Sequence, residues 1–524
     1  MFDARPISTI KSIAALLFAF SLVATSAPVL GQNATEVTTS TNELDRWSGS
    51  SLGIRLDFRE NRPEIIDVYD HVADSSPFMK GDRILTLGSL NFPESDGDAL
   101  ADLLAESDPG TELAAKVKRG EDELQVNVTT FRKELVDIAA IFRRLNGNKI
   151  IKNRLEETQR EDLFDDFKSR MAKAVRASQS PRKAAEAINR IIDEVDVSHT
   201  AIIPASSGIG FSSKAKGGLG LILQRHTFNG RTGYYVIDKK PGSPSYDSDI
   251  LLGDEILSVN GVDLEDSRRL KLSGHEDRYQ LFVIDAGIDE VCQIEYLRSP
   301  FDDAEIATLT SLEDLSTVAS VKASKRTIRS QQKKIGYIRF WNLMSMGVNS
   351  ALSKASTEEF AECDAVILDL RGRGGIVPAV LALNRTVAKI DKPVVVTIDG
   401  LTRSAKEMLT YLLKKQENVL VVGQKTSGAV TGATVFRLPS GNSLMYPVAS
   451  ADSLKQFIDG AILEGVGVEP DEPVDFFIPY CAGQDRILNF AVKRAVELVN
   501  KKDDIAKTNQ ANKSNQSNEP AGIR

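Results

Sequence analysis

The sequence predicts an α/β core in the C-terminal part of the chain, preceded by two copies of a small β domain that flank a helical segment. Three observations predict it. From Lys333 onward, apolar runs of strand length alternate with stretches of helical period, the pattern of an α/β unit. Leu52-Gly53-Ile54 and GDRILTLGSLNF (Gly81 to Phe92) recur as Leu219-Gly220-Leu221 and GDEILSVNGVDL (Gly253 to Leu264), an internal repeat. Between the copies, Glu134 to Val195 is rich in charge and sets Ile138, Ile141, Phe142 and Leu145 at helical spacing.

In chain order, MFDARPISTIK is followed by the apolar run Ile13 to Ala24, too short to span a bilayer comfortably, so residues 1–31 read as a signal peptide. Val29 and Gly31 are the small residues before a cut that leaves Gln32 first. Export to a periplasm or the extracellular medium is expected, a retained N-terminal anchor being the other reading. No later segment is long and apolar enough to cross a membrane, so no stable membrane insertion is expected after cleavage.

The first β copy covers residues 50–132 and the helical segment 134–195. Within the latter, Ser180 and Pro181 predict an N-cap and first turn opening RKAAEAINRIIDEV. The second copy covers 212–325 and the α/β core 333–500, with strands placed at KIGYIRFW, DAVILDLRG, KPVVVTIDG and NVLVVGQ. Residues 502–524 are polar and almost free of large apolar groups, which predicts a disordered tail.

Composition removes several function classes. The 524 residues are 42% hydrophobic and 26% charged, a globular balance with material for several domains. A net charge of −8, with no basic stripe, argues against a nucleic-acid partner. Cys292, Cys363 and Cys481 lie far apart and form no CxxC pair, and neither a metal-ligand cluster nor a phosphate-cradling loop is present, so no metal or cofactor is expected.

GLTRSAKE (Gly400 to Glu407) sets Ser404 between a buried strand and an amphipathic helix. Backbone amides at a helix N-terminus lack intrahelical partners, so a serine among them stands beside donors for an oxyanion, which suits acyl transfer; an ordinary N-cap serine has the same local pattern. Such a nucleophile needs a base. Of the four histidines, His71 and His226 fall inside the β copies and His275 in a charged stretch, leaving His199 in VDVSHTAIIP as the candidate.

Each β copy has an early Leu-Gly-apolar step, a Gly/Pro/Ser turn and a Gly-Asp-x-Ile-Leu strand, and both resemble PDZ domains. The second resembles them more fully through PGSPSYDSDILLGDEILSVNG. The resemblance implies a peptide groove beside the Leu-Gly-apolar strand, where a chain terminus adds as an extra strand, with Leu219, Gly220 and Leu221 as substrate-binding residues.

DAVILDLRGRGG, GLTRSAKE, VVGQKTSG and LEGVGVEPD occur in one order that resembles the C-terminal processing (tail-specific) serine peptidase family, from about Val195 to Arg494. The resemblance implies a ClpP/crotonase-like α/β spiral core, Ser404 as nucleophile, and an oxyanion hole from Ala405 and Gly374 or Gly375. The better-known branch uses a lysine base after the VVG strand, but here Ala429 occupies that position and Lys425 lies four residues too early. The tricorn-core branch, with a Ser-His-Ser-Glu site, matches through Ser198-His199 and Glu464. In it His199 is the base, and Ser198, bonded to Glu464, orients the imidazole. Two departures stand out: Ile376 where another glycine is common, and Thr402-Arg403 before the nucleophile, with Arg403 either binding a substrate carboxylate or lying solvated on the surface. The expected activity is that of an exported serine endopeptidase acting on polypeptides or protein C-termini. The alternatives are a catalytically silent scaffold that binds chain termini and an α/β-hydrolase-type esterase, the latter lacking a G-x-S-x-G elbow around Ser404.

Overall fold

Alternation of apolar and polar residues in the first copy produces an antiparallel sheet with one buried face. The computed structural model describes residues 50–69, 75–178, 180–204, 217–267, 269–276, 279–313 and 315–517. Residues 1–31, read as a signal peptide, and His71 lie outside them. Strands β1 (Ile54–Arg59), β2 (Arg62–Val68), β3 (Arg83–Leu87), β4 (Glu112–Arg119) and β5 (Asp122–Thr129) pair in the order β1-β2-β3-β4-β5. Helix α1 (Gly97–Glu106), capped by Asp96, buries Leu100 and Leu104 in the core with Ile54, Leu56 and Ile65. Strand β1 forms the end of this sheet and pairs only with β2 among the described residues.

Helices α2 (Ile138–Asn146), α3 (Lys149–Glu157), α4 (Phe167–Ala177) and α5 (Pro181–Ile192) follow, packed through Ile138, Ile141, Leu145, Phe167 and Ile188. As expected, Ser180 caps α5, its side chain accepting from the Lys183 amide with Pro181 in the first turn. Asn189 on α5 then clamps β6 (Ala201–Ile203): its amide side chain accepts from Ile202 N at 2.6 Å and donates to Ile202 O at 3.0 Å. The turn carrying Ser198 and His199 is thereby held against the helices.

The second copy forms a ten-stranded sheet that includes β7 (Gly217–Gly218), β8 (Leu221–Phe228), β9 (Arg231–Lys239), β10 (Glu255–Val259), β11 (Leu270–Glu276), β12 (Tyr279–Ala286), β13 (Val291–Leu297) and β14 (Glu305–Thr310). After its Gly-Asp-x-Ile-Leu strand the first copy has helix α1, whereas the second has the hairpin β11–β12. Strand β12 lies antiparallel on β8, Leu223 opposite Phe282 and Gln224 opposite Leu281, and continues along β7.

The core sheet runs β15 (Arg326–Ser330), β16 (Lys333–Arg339), β17 (Ala365–Asp369), β18 (Val394–Ile398), β19 (Val419–Gly423) and β20 (Glu472–Pro473), parallel except for β15. Both faces are buried, which is why these strands read as continuous apolar runs rather than alternating ones. Val366, Leu368, Val394 and Val396 face α6 (Gly347–Thr357), α7 (Val377–Val387) and α8 (Ala405–Leu413). Ala365, Ile367 and Val395 face α9 (Arg486–Ser517) through Ala491, Ala495 and Val499. Helix α9 corrects the expected tail: residues read as disordered from 502 are helical to Ser517, extending a helix whose first turns are already fixed by packing. The hairpin Gly432–Arg437 and Ser443–Ala449 joins β6, with Ala201 opposite Met445, and so ties the His199 turn to the core.

Candidate active site

Strand β18 ends at Ile398, the chain turns through Asp399 to Arg403, and α8 begins at Ala405. Thr402 Oγ1 donates to Asp399 Oδ1 at 2.9 Å, closing the turn. Ser404 occupies the N-cap with φ 56° and ψ −129°, a left-handed backbone that costs a non-glycine residue energy and is sustained only by its surroundings. The surroundings are supplied by Glu407. Its Oε1 accepts from Thr426 Oγ1 and Gly428 N, both at 2.6 Å, and its Oε2 accepts from Ala429 N at 2.8 Å and Ser404 N at 3.0 Å. Ser404 N also donates to Ala429 O at 2.8 Å. Burial pushes the Glu407 carboxyl up to about 7, although each of these donors favours its ionised form.

The glycine-rich turn after β17 approaches from the other side. A methyl group on Gly374 would lie 2.9 Å from Ser404 Cβ and 3.5 Å from its Oγ, so this peptide runs against the nucleophile. Gly375 instead presses on Leu343, where a methyl would come within 2.2 Å of Cβ, and the two form a parallel bridge. Among the described residues, no acceptor meets the backbone N–H of Gly374, Gly375 or Ala405. The Ile376 N–H is engaged by Leu343 O at 3.1 Å, so the side chain at this position removes no available donor.

His199 is 8% exposed, with φ 58°, and its Nδ1 lies 3.1 Å from Ser198 Oγ. If Nδ1 carries the proton and donates to Ser198, Nε2 keeps its lone pair, the tautomer a general base requires. Burial holds the imidazole pKa well below its ordinary value, and the neighbouring Arg403 cation lowers it further. No hydrogen bond joins His199 to Ser404 among the described residues. Arg403, expected as a substrate ligand or a solvated arginine, is buried. Burial pushes its pKa down to about 10 against the opposing charges of Glu407 and Glu464. Its charge acts on His199 and is opposed by Glu407 and Glu464.

Two expectations differ from the geometry, and that for Lys425 does not. Glu464 does not bond Ser198: its Oε2 accepts from Val430 N at 2.6 Å and Thr431 N at 2.9 Å, so two backbone amides satisfy it. In the second copy β12 flanks Leu219, Gly220 and Leu221 on that edge, pairing with β7 at Gly217 and Gly218 and with β8 at Leu223 and Gln224. Gly220 has φ 80°, and a methyl on it would meet Ser243 Oγ at 1.9 Å, so the glycine serves close packing of that turn. Lys425 is exposed and pairs with Glu469 at 2.8 Å, which leaves the position after the VVG strand to buried Ala429.

Sequence reasoning passed over two groups. Glu407 was legible as the last residue of Ser-x-x-Glu, a capping-box spacing. Lys406 was not: a lysine in the first turn of a helix reads as solvated, yet its side chain is fully buried and its Nζ donates to Gly372 O at 2.7 Å, Arg371 O at 3.0 Å and Trp341 O at 3.3 Å. Among the described residues no group of histidine, cysteine and carboxylate side chains is arranged to hold a metal.

The family model for peptidase family S41 matches residues 379–474, the stretch holding both Ser404 and Glu464. A carboxyl-terminal-processing protease of Picosynechococcus sp. is 25% identical over 303 residues, covering 53% of this chain and 69% of that protein. One from Synechocystis sp. is 26% identical over 264 residues, covering 45% of this chain and 57% of its own length. Among solved structures, a photosystem II D1 C-terminal processing protease aligns with TM-score 0.39 and 17% identity over 65% of this chain and 93% of its own. The tricorn protease aligns with TM-score 0.36 and 15% identity over 85% of this chain and 46% of its own. Residues 379–474, which span the nucleophile turn and its bracing loops, match the serine peptidases of family S41, and over about half its length the chain is similar to carboxyl-terminal-processing proteases.

Proposed function

We propose that the protein is an exported endopeptidase that cleaves polypeptides through an acyl-enzyme on Ser404, with His199 as general base. The observation that carries this reading is the strained Ser404 N-cap, beside amides of Gly374, Gly375 and Ala405 that meet no acceptor among the described residues. Ser404 Oγ attacks the scissile carbonyl, His199 takes its proton and returns it to the leaving amine, and the amides bind the oxyanion. The imidazole is already neutral near pH 7, ready to accept that proton, and substrate binding completes the Ser404–His199 hydrogen bond. Ser198 orients the ring. Glu464 acts one step removed, by fixing the Val430–Thr431 backbone and balancing Arg403. The core follows the α/β spiral arrangement of the family, and residues 1–31 are removed on export.

Substrate selection in this reading falls to the first PDZ-like domain. Among the described residues its β1 pairs on one side only, an edge that can take an extended chain as an added strand, whereas β12 pairs with the corresponding strand of the second. Cleavage of an unstructured polypeptide by the mature chain, with products identified by mass, tests the activity. Wild-type cleavage together with none from Ser404→Ala supports it. No cleavage from either supports the silent scaffold, and equal cleavage from both contradicts the assigned nucleophile.

A further inference from the structure

The least expected group near the nucleophile is the ammonium of Lys406, two residues along α8 from Ser404. It is fully buried and delivers its hydrogen bonds to three backbone carbonyls that come from two separate segments: Trp341, after β16, and Arg371 and Gly372, in the glycine-rich turn after β17. Each of these segments adjoins the site. Leu343 N donates to Gly374 O, and Ile376 N to Leu343 O, so the Trp341 loop and the glycine-rich turn are laced together. The turn itself has φ 65° at Gly372, which glycine adopts freely, and φ 46° at Arg373, a left-handed backbone that a non-glycine residue keeps only when its surroundings fix it. Gly372 N is tied by Asp399 Oδ1 at 2.9 Å; the carbonyls of Arg371 and Gly372 are tied by Lys406.

We propose that Lys406 is a positioning residue of the peptidase site, its ammonium gathering these three carbonyls so that the glycine-rich turn presents its free amides to Ser404. The inference rests on the acyl-enzyme reading above. A buried charge is costly, and an apolar side chain here would avoid that cost, so what the ammonium supplies is the geometry it imposes on the turn. The groups facing it are Arg339 of β16, Asp369 of β17, Asp399 after β18 and Asp238 of β9. Arg339 is itself paired with Asp238 at 2.7 Å, and Arg371 is paired with Asp369 at 2.7 Å and Asp485 at 2.8 Å. Burial, and then Arg339, push the Lys406 pKa down to about 7, the three carboxylates opposing. On deprotonation the amine keeps two N–H donors, so one of the three carbonyls faces its lone pair and the tie on the turn is weakened.

Activity and stability then move in opposite directions with pH. The folded-state pKa of about 7 lies below the ordinary 10.5, so between these values the unfolded chain binds more protons and the contribution of this group to stability rises with pH. Over the same window the tie on the turn weakens and turnover falls.

The test uses full-length Lys406→Met and Lys406→Gln, measuring peptide cleavage, the rate at which a fluorophosphonate labels Ser404, and thermal unfolding from about pH 5.5 to 9.5. Expected for Lys406→Met are a loss of about 10- to 100-fold in kcat and in labelling rate with KM nearly unchanged, an unfolding temperature at or above wild type, and disappearance of the wild-type decline above about pH 7. Lys406→Gln, which keeps two donors, recovers part of the rate. Wild-type kcat in folded Lys406→Met, a loss confined to KM, a loss that only follows the folded fraction, or an unchanged alkaline decline in the variant overturns the proposal. If neither variant folds, the wild type decides: undiminished hydrolysis from about pH 7 to 9.5 overturns it. Failure of wild-type Ser404 to label at all refutes the acyl-enzyme reading instead, so the two failures are distinct.

Discussion

Gly374→Ala separates the chemistry of the site from the stability of the fold. The added methyl would lie 2.9 Å from Ser404 Cβ and 3.4 Å from Arg403 O. Carbon atoms rest at about 3.5–4.0 Å, so the methyl and the nucleophile must part by about 0.6–1.1 Å. Gly374 is not left-handed, so the substitution adds no backbone strain, and overpacking of this kind costs about 1–3 kcal/mol of stability. A misplacement near 1 Å costs about 10²-fold in rate, equivalent to about 2.7 kcal/mol of transition-state stabilisation. Gly375→Ala is the control, because its methyl meets Leu343 Cβ at 2.2 Å and Leu343 Cα at 2.7 Å, a clash with backbone that cannot rotate away. The assay is the second-order rate of Ser404 labelling by a fluorophosphonate beside urea unfolding. Gly374→Ala should lose about 10²-fold in labelling while remaining folded, and Gly375→Ala should lose more stability than Gly374→Ala. Wild-type labelling in Gly374→Ala would refute the placement of this turn against the nucleophile.

Other expectations follow from the same geometry. The depressed His199 pKa puts the acid limb of hydrolysis below 6.5, so a pH–rate profile should keep most of its plateau at about pH 6; a limb centred above 6.5 contradicts a buried imidazole beside Arg403. The same depression makes the fold lose stability as pH drops below 6.5, since the unfolded chain then binds the proton more readily. Glu464→Gln should turn over within about threefold of wild type, because an amide oxygen can still accept from Val430 and Thr431, whereas Ser198→Ala should lose about tenfold by freeing the imidazole; single-turnover cleavage compares them. Lys425→Ala should cleave normally and shift stability by about 0–1 kcal/mol in urea unfolding, as its ion pair with Glu469 is exposed.

What the sequence made legible was what local chemistry determines. Continuous apolar runs announced β16 to β19, Ser180-Pro181 announced α5, and the Gly400 to Glu407 string put Ser404 at a helix start. Contacts between distant segments were hidden. The hairpin β11–β12 takes the place that α1 has in the first copy, and nothing in KLSGHEDRYQLFVIDAG states that its second strand will pair along β8 rather than leave that edge to a ligand. Arg403 was open between a substrate ligand and a solvated arginine, and Lys406 was passed over, because sequence cannot tell which charges will face buried carbonyls and carboxylates. Glu464 sits at the expected position in the chain, yet two nearby amides compete successfully for its carboxylate.

The central claim is that Ser404, activated by His199, is the nucleophile. Its most direct test is treatment of the mature wild type, Ser404→Ala and His199→Ala with a fluorophosphonate, followed by proteolysis and mass mapping. The account predicts a single adduct on Ser404 in the wild type, none in Ser404→Ala, and a severely slowed reaction in folded His199→Ala. An adduct on another serine, or labelling of His199→Ala at the wild-type rate, would contradict it.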